Sequence, residues 1–400
     1  MSTAFDPASA AFAQDPYPVY AALRATPGPV HHDGLAAWLL ARYADVDAVA
    51  RDPRFLRSPP PEARDSEARP FAMPVFDRFV RSNLLELDGT EHDRLRRIVM
   101  RALTRRRVQA LRAGIERFVD LCLDPLLGAG EVDFVTTLAE VIPGHVIGAL
   151  LGVPEADRPL LRAWSADVVQ FYDADRSATD AARAEQAASE FRRYLEDLVA
   201  ARRQVPREDL VSELVAAERA GDLDATELVA TAMLLLMAGH GSTTDLLGLG
   251  LLALTDHPEE LARLRAAPTL APTAAQEMLR FATPLPYFHR HAAEAVVVAG
   301  RRFEAGTRFG LLYGAANRDP GAFPDPDRFD VGRQPNRHLA FGRGAHLCLG
   351  NHLSRLDAEI VFTRLLARTR DIERTGGTVA MRPSLTARGP LSLPVRLLPA

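Results

Sequence analysis

Phe341-Gly342-Arg343-Gly344-Ala345-His346-Leu347-Cys348-Leu349-Gly350 sets three glycines around one thiol. Glycine tolerates positive φ and lets backbone approach a flat ligand closely. The segment from Leu349 to about Leu366 places Leu349, Leu353, Leu356 and Ile360 on one helical stripe, so Cys348 is expected at a helix N-terminus. There the helix dipole and free amides favour thiolate, the form that attacks an electrophile or ligates a metal. A nucleophilic cysteine would need a base, and His346, two residues upstream in the same loop, is poorly placed for that role. A buried structural thiol is the reading for Cys122 in Leu121-Cys122-Leu123, and the three glycines argue against it for Cys348.

The 400-residue chain around this loop is 47% hydrophobic and 25% charged, enough apolar material for a large core. Its 48 basic and 52 acidic residues sum to -4, which gives no basic field for nucleic acid. All the basic residues are Arg, a compositional bias that weakens any argument from Arg in place of Lys. Cys122 and Cys348 cannot build a disulfide framework, and no CxxC pair suggests zinc, so a cytoplasmic location is expected. The N-terminal MSTAFDPASAAFAQDPYPVY lacks the basic start and apolar run of an export signal. Leu228 to Leu254, interrupted by His240, Ser242, Thr243, Thr244 and Asp245, reads as a buried helix and no membrane span.

Strand-like runs lie near both ends, at Ala36 to Leu40, Val296 to Ala299, Arg308 to Tyr313 and Leu391 to Leu397. From about Asp88 to Ala275 the pattern is helical, with breaks expected at Pro143-Gly144, Val153-Pro154, Val205-Pro206 and His257-Pro258. Capping-box spacing marks helix starts at Asp224/Glu227 and at Thr273/Gln276. No repeat or long linker divides the chain; Ser58-Pro59-Pro60-Pro61 reads as an ordinary loop. One mainly α domain with small β-sheets over residues 1–400 is the expectation.

The cysteine loop resembles the ligand loop of the cytochrome P450 superfamily of haem-thiolate monooxygenases, F-G-x-G-x-(R or H)-x-C-x-G, at every fixed position. The resemblance implies the P450 fold, with haem b (iron protoporphyrin IX) between a long distal helix and the cysteine-loop helix. It makes Cys348 the proximal iron ligand, whose electron-rich sulfur favours O–O cleavage, and sets Phe341, Gly342 and Gly350 beside the cofactor. Further matches follow the family's order. Glu277-Met278-Leu279-Arg280 is its E-x-x-R, and Ala316-Asn317-Arg318-Asp319-Pro320 and Phe329-Asp330-Val331-Gly332-Arg333 follow as in the bacterial branch. Glu277, Arg280 and Arg333 are expected to form a buried structural triad. His92 and Arg96, at i and i+4, match H-x-x-x-R; with Arg290 and His346 they are the implied propionate partners.

Ala238-Gly239-His240-Gly241-Ser242-Thr243-Thr244 matches the distal segment that crosses the haem face. Mid-helix Gly costs about 1 kcal/mol relative to Ala, so Gly239 and Gly241 need a reason, such as a ligand pressed on the backbone. The family pattern there is A/G-G-x-(Asp or Glu)-Thr, the acid and alcohol delivering protons. This chain has Gly241 for the acid and Ser242 for the alcohol; sliding the frame brings in Thr243 without restoring an acid, and Asp245 lies one turn beyond Gly241. The expectation is that Ser242, with Thr243, orders water and that His240 or the substrate stands in for the missing acid. Against it, Gly241 simply makes room for a bulky substrate, or the enzyme uses peroxide or performs an unusual reaction.

The resemblance implies insertion of one oxygen atom from O2, by hydroxylation or epoxidation, into a lipophilic molecule of terpenoid, carotenoid, fatty acyl or polyketide type, as in secondary metabolism. Its contacts would come from Phe71, Met73, Phe76, Phe79, Leu84 and Leu85, from Trp164, Val168, Val169, Phe171 and Tyr172, and from Leu285, Tyr287 and Leu385. Arg94, Arg97, Arg101 and Arg105, followed by Arg106 and Arg107, form a basic stripe on which an acidic ferredoxin or flavodoxin would dock. A chain this short leaves no room for a fused reductase, so electrons are expected from that partner and its own reductase.

Overall fold

Asp224 and Glu227 form the reciprocal capping box that their spacing predicts: Glu227 N–H donates to Asp224 Oδ1 at 2.8 Å, and Asp224 N–H to Glu227 Oε2 at 2.9 Å. They start a 32-residue helix, Ala225–Asp256, that ends where Pro258 begins the next helix, Pro258–Ala266. This is a computed structural model that describes residues 5–59, 71–170 and 177–400; Pro60, Pro61, Phe171 and Tyr172, and the side chain of Val169, lie outside the described residues. No helix among the described residues is long and apolar enough to cross a membrane.

Two compact units share the chain. One comprises residues 56–107 and 143–241 and is helical. In it Glu185, on the helix Ala178–Gln204, accepts from the backbone N–H groups of Val75 and Phe76 at 3.0 and 2.9 Å, satisfying the exposed first turn of the helix Pro74–Ser82. Arg202 pairs with the buried Asp209 at 2.5 Å, and Asp209 also caps the helix Leu210–Arg219 through Ser212 N–H.

The other unit comprises residues up to 55, 108–142 and 242–400. Its main sheet uses β1 (Val30–His32), β2 (Ala37–Leu40), β3 (Phe55–Leu56), β5 (Tyr287–Ala292) and β8 (Arg308–Leu312) in the order β1-β2-β8-β5-β3. β2 and β8 run parallel, whereas β5 and β8 are antiparallel with Arg290 opposite Phe309. β4 (Glu131–Asp133), β10 (Pro394–Pro399) and β9 (Thr369–Arg374) make a second sheet, and β6 (Val296–Val298) pairs with β7 (Arg301–Phe303). Leu40, Val46, Phe55, Phe309 and Leu311 belong to the core on the first sheet.

The E-x-x-R triad closes as predicted in this unit. Arg280 donates to both Glu277 oxygens at 2.8 Å, and Arg333 Nε reaches Glu277 Oε1 at 3.1 Å. The remaining Arg280 hydrogens go to the carbonyls of Asn317, Pro326 and Arg328 at 2.7–3.0 Å, which fixes the chain leading to the cysteine loop.

Two local expectations are corrected. The helix carrying Glu277 begins at Ala271 with Pro272 in its first turn, so Thr273 is no cap; its hydroxyl donates to Leu270 C=O at 2.8 Å. Pro143-Gly144 is no break either, because Pro143 lies in the first turn of the helix Val141–Leu151, where a missing N–H costs nothing.

Candidate functional site

The cysteine loop is closed by its own backbone. Cys348 N–H donates to Phe341 C=O at 3.0 Å, Leu347 N–H to Gly344 C=O at 3.1 Å, and Gly342 N–H to Leu339 C=O at 2.8 Å. Gly342 and Gly344 adopt φ of 66° and 71°, the left-handed region that glycine enters without strain. The helix Asn351–Arg368 begins with Gly350 as its cap, two residues beyond Cys348, so the thiol stands just ahead of the helix end and not in its first turn. Cys348 is exposed; Cys122 is half-buried in the helix Arg112–Leu123, and burial pushes its thiol up to about 11, in keeping with an inert structural role.

Behind the loop lies a layered support. The Arg355 guanidinium sits 4.9 Å from the centre of the Phe341 ring, and His338 packs on the same ring at 5.7 Å. Burial lowers the Arg355 pKa while the Cys348 sulfur holds it up, which sets a cation within electrostatic reach of the thiolate. His338 accepts from Ala340 N–H at Nδ1 (3.2 Å), so its proton lies on Nε2 and is donated to Gln276 at 2.8 Å. Burial and then the arginines 355, 343 and 280 depress His338 to about 3, keeping it neutral. Sequence reasoning missed Arg355 and His338; the position of Arg355, two turns past Cys348, was the available signal.

On the long helix every residue from 228 to 251 is buried except Ala238, Gly239, Gly241 and Ser242. These make a notch in an otherwise covered helix, and a Cβ added at Gly241 would meet no heavy atom within 4 Å. At Gly239 a Cβ would fall 2.8 Å from Ile147, so that glycine is needed for helix packing. Thr243 is buried and donates to Ser354 Oγ at 3.1 Å, tying the long helix to the helix after the cysteine loop. Of the two alcohols, Ser242 is the one at the notch. His240 is two residues from both Ala238 and Ser242, about 200° around the helix, with its ring against Gly144, 3.4 Å from where a Cβ there would lie.

The anion-binding candidates divide between the units. Arg290 is buried on β5 and donates to His289 C=O at 2.8 Å, and His346 is half-buried in the cysteine loop. His92 is buried on the helix Gly89–Ala102 with Nδ1 3.2 Å from Asp93, and burial lowers its pKa; Arg96 is half-buried one turn on. Met73, Phe76, Phe79, Leu84 and Val168 are buried in the helical unit. Tyr287 and Leu385 share an aromatic core cluster with Phe12 and Tyr20, which is packing rather than an open wall.

The site fits haem. Among the described residues no three His, Cys, Asp or Glu side chains cluster to hold a bare ion, so a metal at Cys348 would need the rest of its ligands from a macrocycle. An exposed thiol on a glycine loop, backed by a cation, is the donor such a group takes.

The comparisons with known proteins agree with this geometry. The family profile named Cytochrome P450 matches residues 269–373. The chain is 39% identical to the cytochrome P450 monooxygenase PikC of Streptomyces venezuelae over 396 residues, 96% of this chain and 92% of that protein. It is 38% identical to a vitamin D(3) 25-hydroxylase of Pseudonocardia autotrophica, covering 98% of this chain and 96% of the relative. Among solved structures, P450BioI in complex with an acyl carrier protein ligated to hexadec-9Z-enoic acid superposes with a TM-score of 0.92 at 32% identity, over 98% of this chain and all of that one.

Proposed function

The chain belongs to the cytochrome P450 family, and from that premise we propose that Cys348 is the sulfur ligand of its haem iron and that the substrate is a small lipophilic molecule. The exposed Cys348 thiol on its glycine loop, with Arg355 behind Phe341, carries the reading. Haem held there supplies the activation of dioxygen. The protein's own groups do the rest in this proposal, with residues 1–400 acting as one catalytic domain in the cytoplasm. Arg290, His92, Arg96 and His346 bind the propionates, Phe341, Gly342 and Gly350 shape the thiolate side, and Ala238 and Gly239 border the ring. Ser242 holds water at the notch.

The buried aromatic and aliphatic side chains of the helical unit favour an apolar substrate, and relatives are named for vitamin D(3) and for a hexadec-9Z-enoic acid carrier complex. Electrons would come from an acidic ferredoxin or flavodoxin with its reductase. Arg97, Arg101, Arg105 and Arg106 are exposed and make no ion pair among the described residues, whereas Arg94 is taken by Glu227 and Arg107 by Glu213. The stripe is thus narrower than its sequence, and Arg97 stands in it. Arg97→Glu is expected to slow reduction by a ferredoxin several-fold at low salt and to flatten its salt dependence. Stopped-flow reduction that is salt-independent in the parent protein would count against this surface.

The test of the assignment is the absorption spectrum of the dithionite-reduced protein with carbon monoxide. The strongly red-shifted Soret band of a thiolate-ligated ferrous carbonyl is expected, and Cys348→Ser should abolish it. A band that survives the substitution, or a protein that stays colourless after haem reconstitution, overturns the reading.

A further inference from the structure

Monooxygenation takes up one dioxygen, two electrons and two protons; one oxygen atom enters the substrate and the other leaves as water. The notch on the long helix offers an alcohol, Ser242, but Gly241 provides no acid beside it. The helix does carry a buried acid in line with the notch. Asp245 follows Gly241 by four residues and Ser242 by three, which places it on their face of the helix, one turn on. No heavy atom lies within 4 Å of a Cβ added at Gly241, which leaves that space open.

The other side of Asp245 is built. Arg382 donates to its oxygens at 3.2 and 3.5 Å, and the Arg382 side chain is 35% exposed while Asp245 is 2% exposed. A Cβ on Gly389 would fall 2.0 Å from Asp245 Oδ1, so glycine there makes room for the carboxyl. Arg382 N–H donates to Gly389 C=O at 2.9 Å, and Met381 bridges to Pro390, so cation and glycine are two limbs of one hairpin closed over the acid. The charged groups around Asp245 are Arg382 from the hairpin and Glu140 from the turn before the helix Val141–Leu151. Burial pushes Asp245 up to about 7, with Arg382 opposing and Glu140 adding to the rise, so near neutral pH both protonation states are populated.

We propose that Asp245 and Arg382 are the proton entry of this monooxygenase, replacing the acid that Gly241 does not supply. The O–H bond of the Asp245 carboxyl breaks, its proton passes through water admitted at the notch and Ser242 to the oxygen atom that leaves as water, and Arg382 holds the carboxylate until solvent reprotonates it. The proposal rests on the Cys348 reading, which places the oxygen chemistry at the notch.

The test uses the haem-loaded protein with a surrogate ferredoxin and ferredoxin reductase. Asp245→Asn should slow dioxygen-dependent NADPH consumption by about a hundredfold, the lower end of what a general acid contributes, and raise its solvent isotope effect. It should also remove an inflection near pH 7, above which the parent slows as the acid loses its proton. Guaiacol oxidation driven by hydrogen peroxide, which brings its own protons, should stay within about twofold, and Asp245→Glu should restore the dioxygen route. A second buried acid, Asp357 on the helix Asn351–Arg368, is also raised by burial and serves as the control. Infrared titration gives a reading independent of turnover: a protonated carboxyl band that fades with a midpoint near pH 7, absent in Asp245→Asn and kept in Asp357→Asn.

An unchanged NADPH rate and isotope effect in Asp245→Asn, loss only in Asp357→Asn, or an equal fall of both oxidant routes overturns the proposal. The carbon monoxide spectrum separates the premises: a normal thiolate band with any of those results sinks the proton route alone, and a parent protein lacking the band sinks the Cys348 reading and this proposal together.

Discussion

Glu277→Ala is expected to destabilise the protein by about 3–5 kcal/mol, the cost of leaving a buried cation uncompensated, and to yield material that does not retain haem. Glu277 is fully buried and accepts from Arg280 at both oxygens, from Arg333, from Asn336 at 3.0 Å and from Asp330 N–H at 3.0 Å. Its removal strands the equally buried Arg280, whose other hydrogens bind carbonyls of the segment 317–328. That segment runs into the cysteine loop, so the loss reaches the cofactor: Asn317 Oδ1 accepts from Leu339 N–H at 2.6 Å, three residues before Gly342. Against a typical net stability of about 5–15 kcal/mol, this is a large fraction. Glu277→Gln, which keeps the shape and part of the hydrogen bonding, should lie between parent and alanine. The haem-to-protein ratio and the urea midpoint measure both; normal values in the alanine variant would show that the triad carries no such load.

Motifs were legible where the residues that meet are close in the chain or fixed by a pattern. The cysteine loop, the Asp224 box and the Glu277–Arg280 pair are local, and Arg333 came with the family pattern. The strand Tyr287–Ala292 was not legible because Tyr-Phe-His-Arg-His-Ala reads as polar, yet Arg290 and His291 are buried in it. Strand Thr369–Arg374 was hidden for a similar reason: its charged residues face solvent and only Thr369 and Ile372 are buried. At Thr273 the competing signal was Pro272, which set the helix start two residues earlier than the supposed cap. In the site, the sequence pointed to the open position at Gly241 and to the alcohol at Ser242. It could not show that Asp245 meets Arg382, since the two are 137 residues apart and only the hairpin brings them together. Nor could it show that Gln276, read as a capping partner, holds the neutral His338 under Phe341 instead.

Gly344→Ala should do the greatest damage of any single added methyl in the cysteine loop. At φ of 71° a side chain costs about 1–2 kcal/mol. The larger obstacle is where the methyl would go: 2.3 Å from the carbonyl oxygen of Ala50 and 3.0 Å from Arg51 Cα. Both belong to backbone at the end of the helix Tyr43–Arg51, packed on the first sheet, so nothing there can swing aside as a side chain would. Arg343, next in the chain, lies 3.5 Å from Asp47 on the same helix, which ties the loop to the obstacle. The loop must move, and overpacking of this kind adds about 1–3 kcal/mol. Displacement of the segment carrying Cys348 is expected to replace the thiolate band of the reduced carbon monoxide complex by one without thiolate ligation, and to lower the melting temperature. Neighbouring glycines calibrate the effect. Gly350→Ala would place its methyl 3.9 Å from Cys348 Sγ, an ordinary contact, and should keep the band. Gly342→Ala, strained by φ but with nothing nearer than Tyr313 Oη at 3.5 Å, should fall between them. If all three variants give the parent spectrum and melting temperature, contact between the loop and the Tyr43–Arg51 helix does not hold the cysteine in place; the order Gly344, Gly342, Gly350 in severity would show that it does.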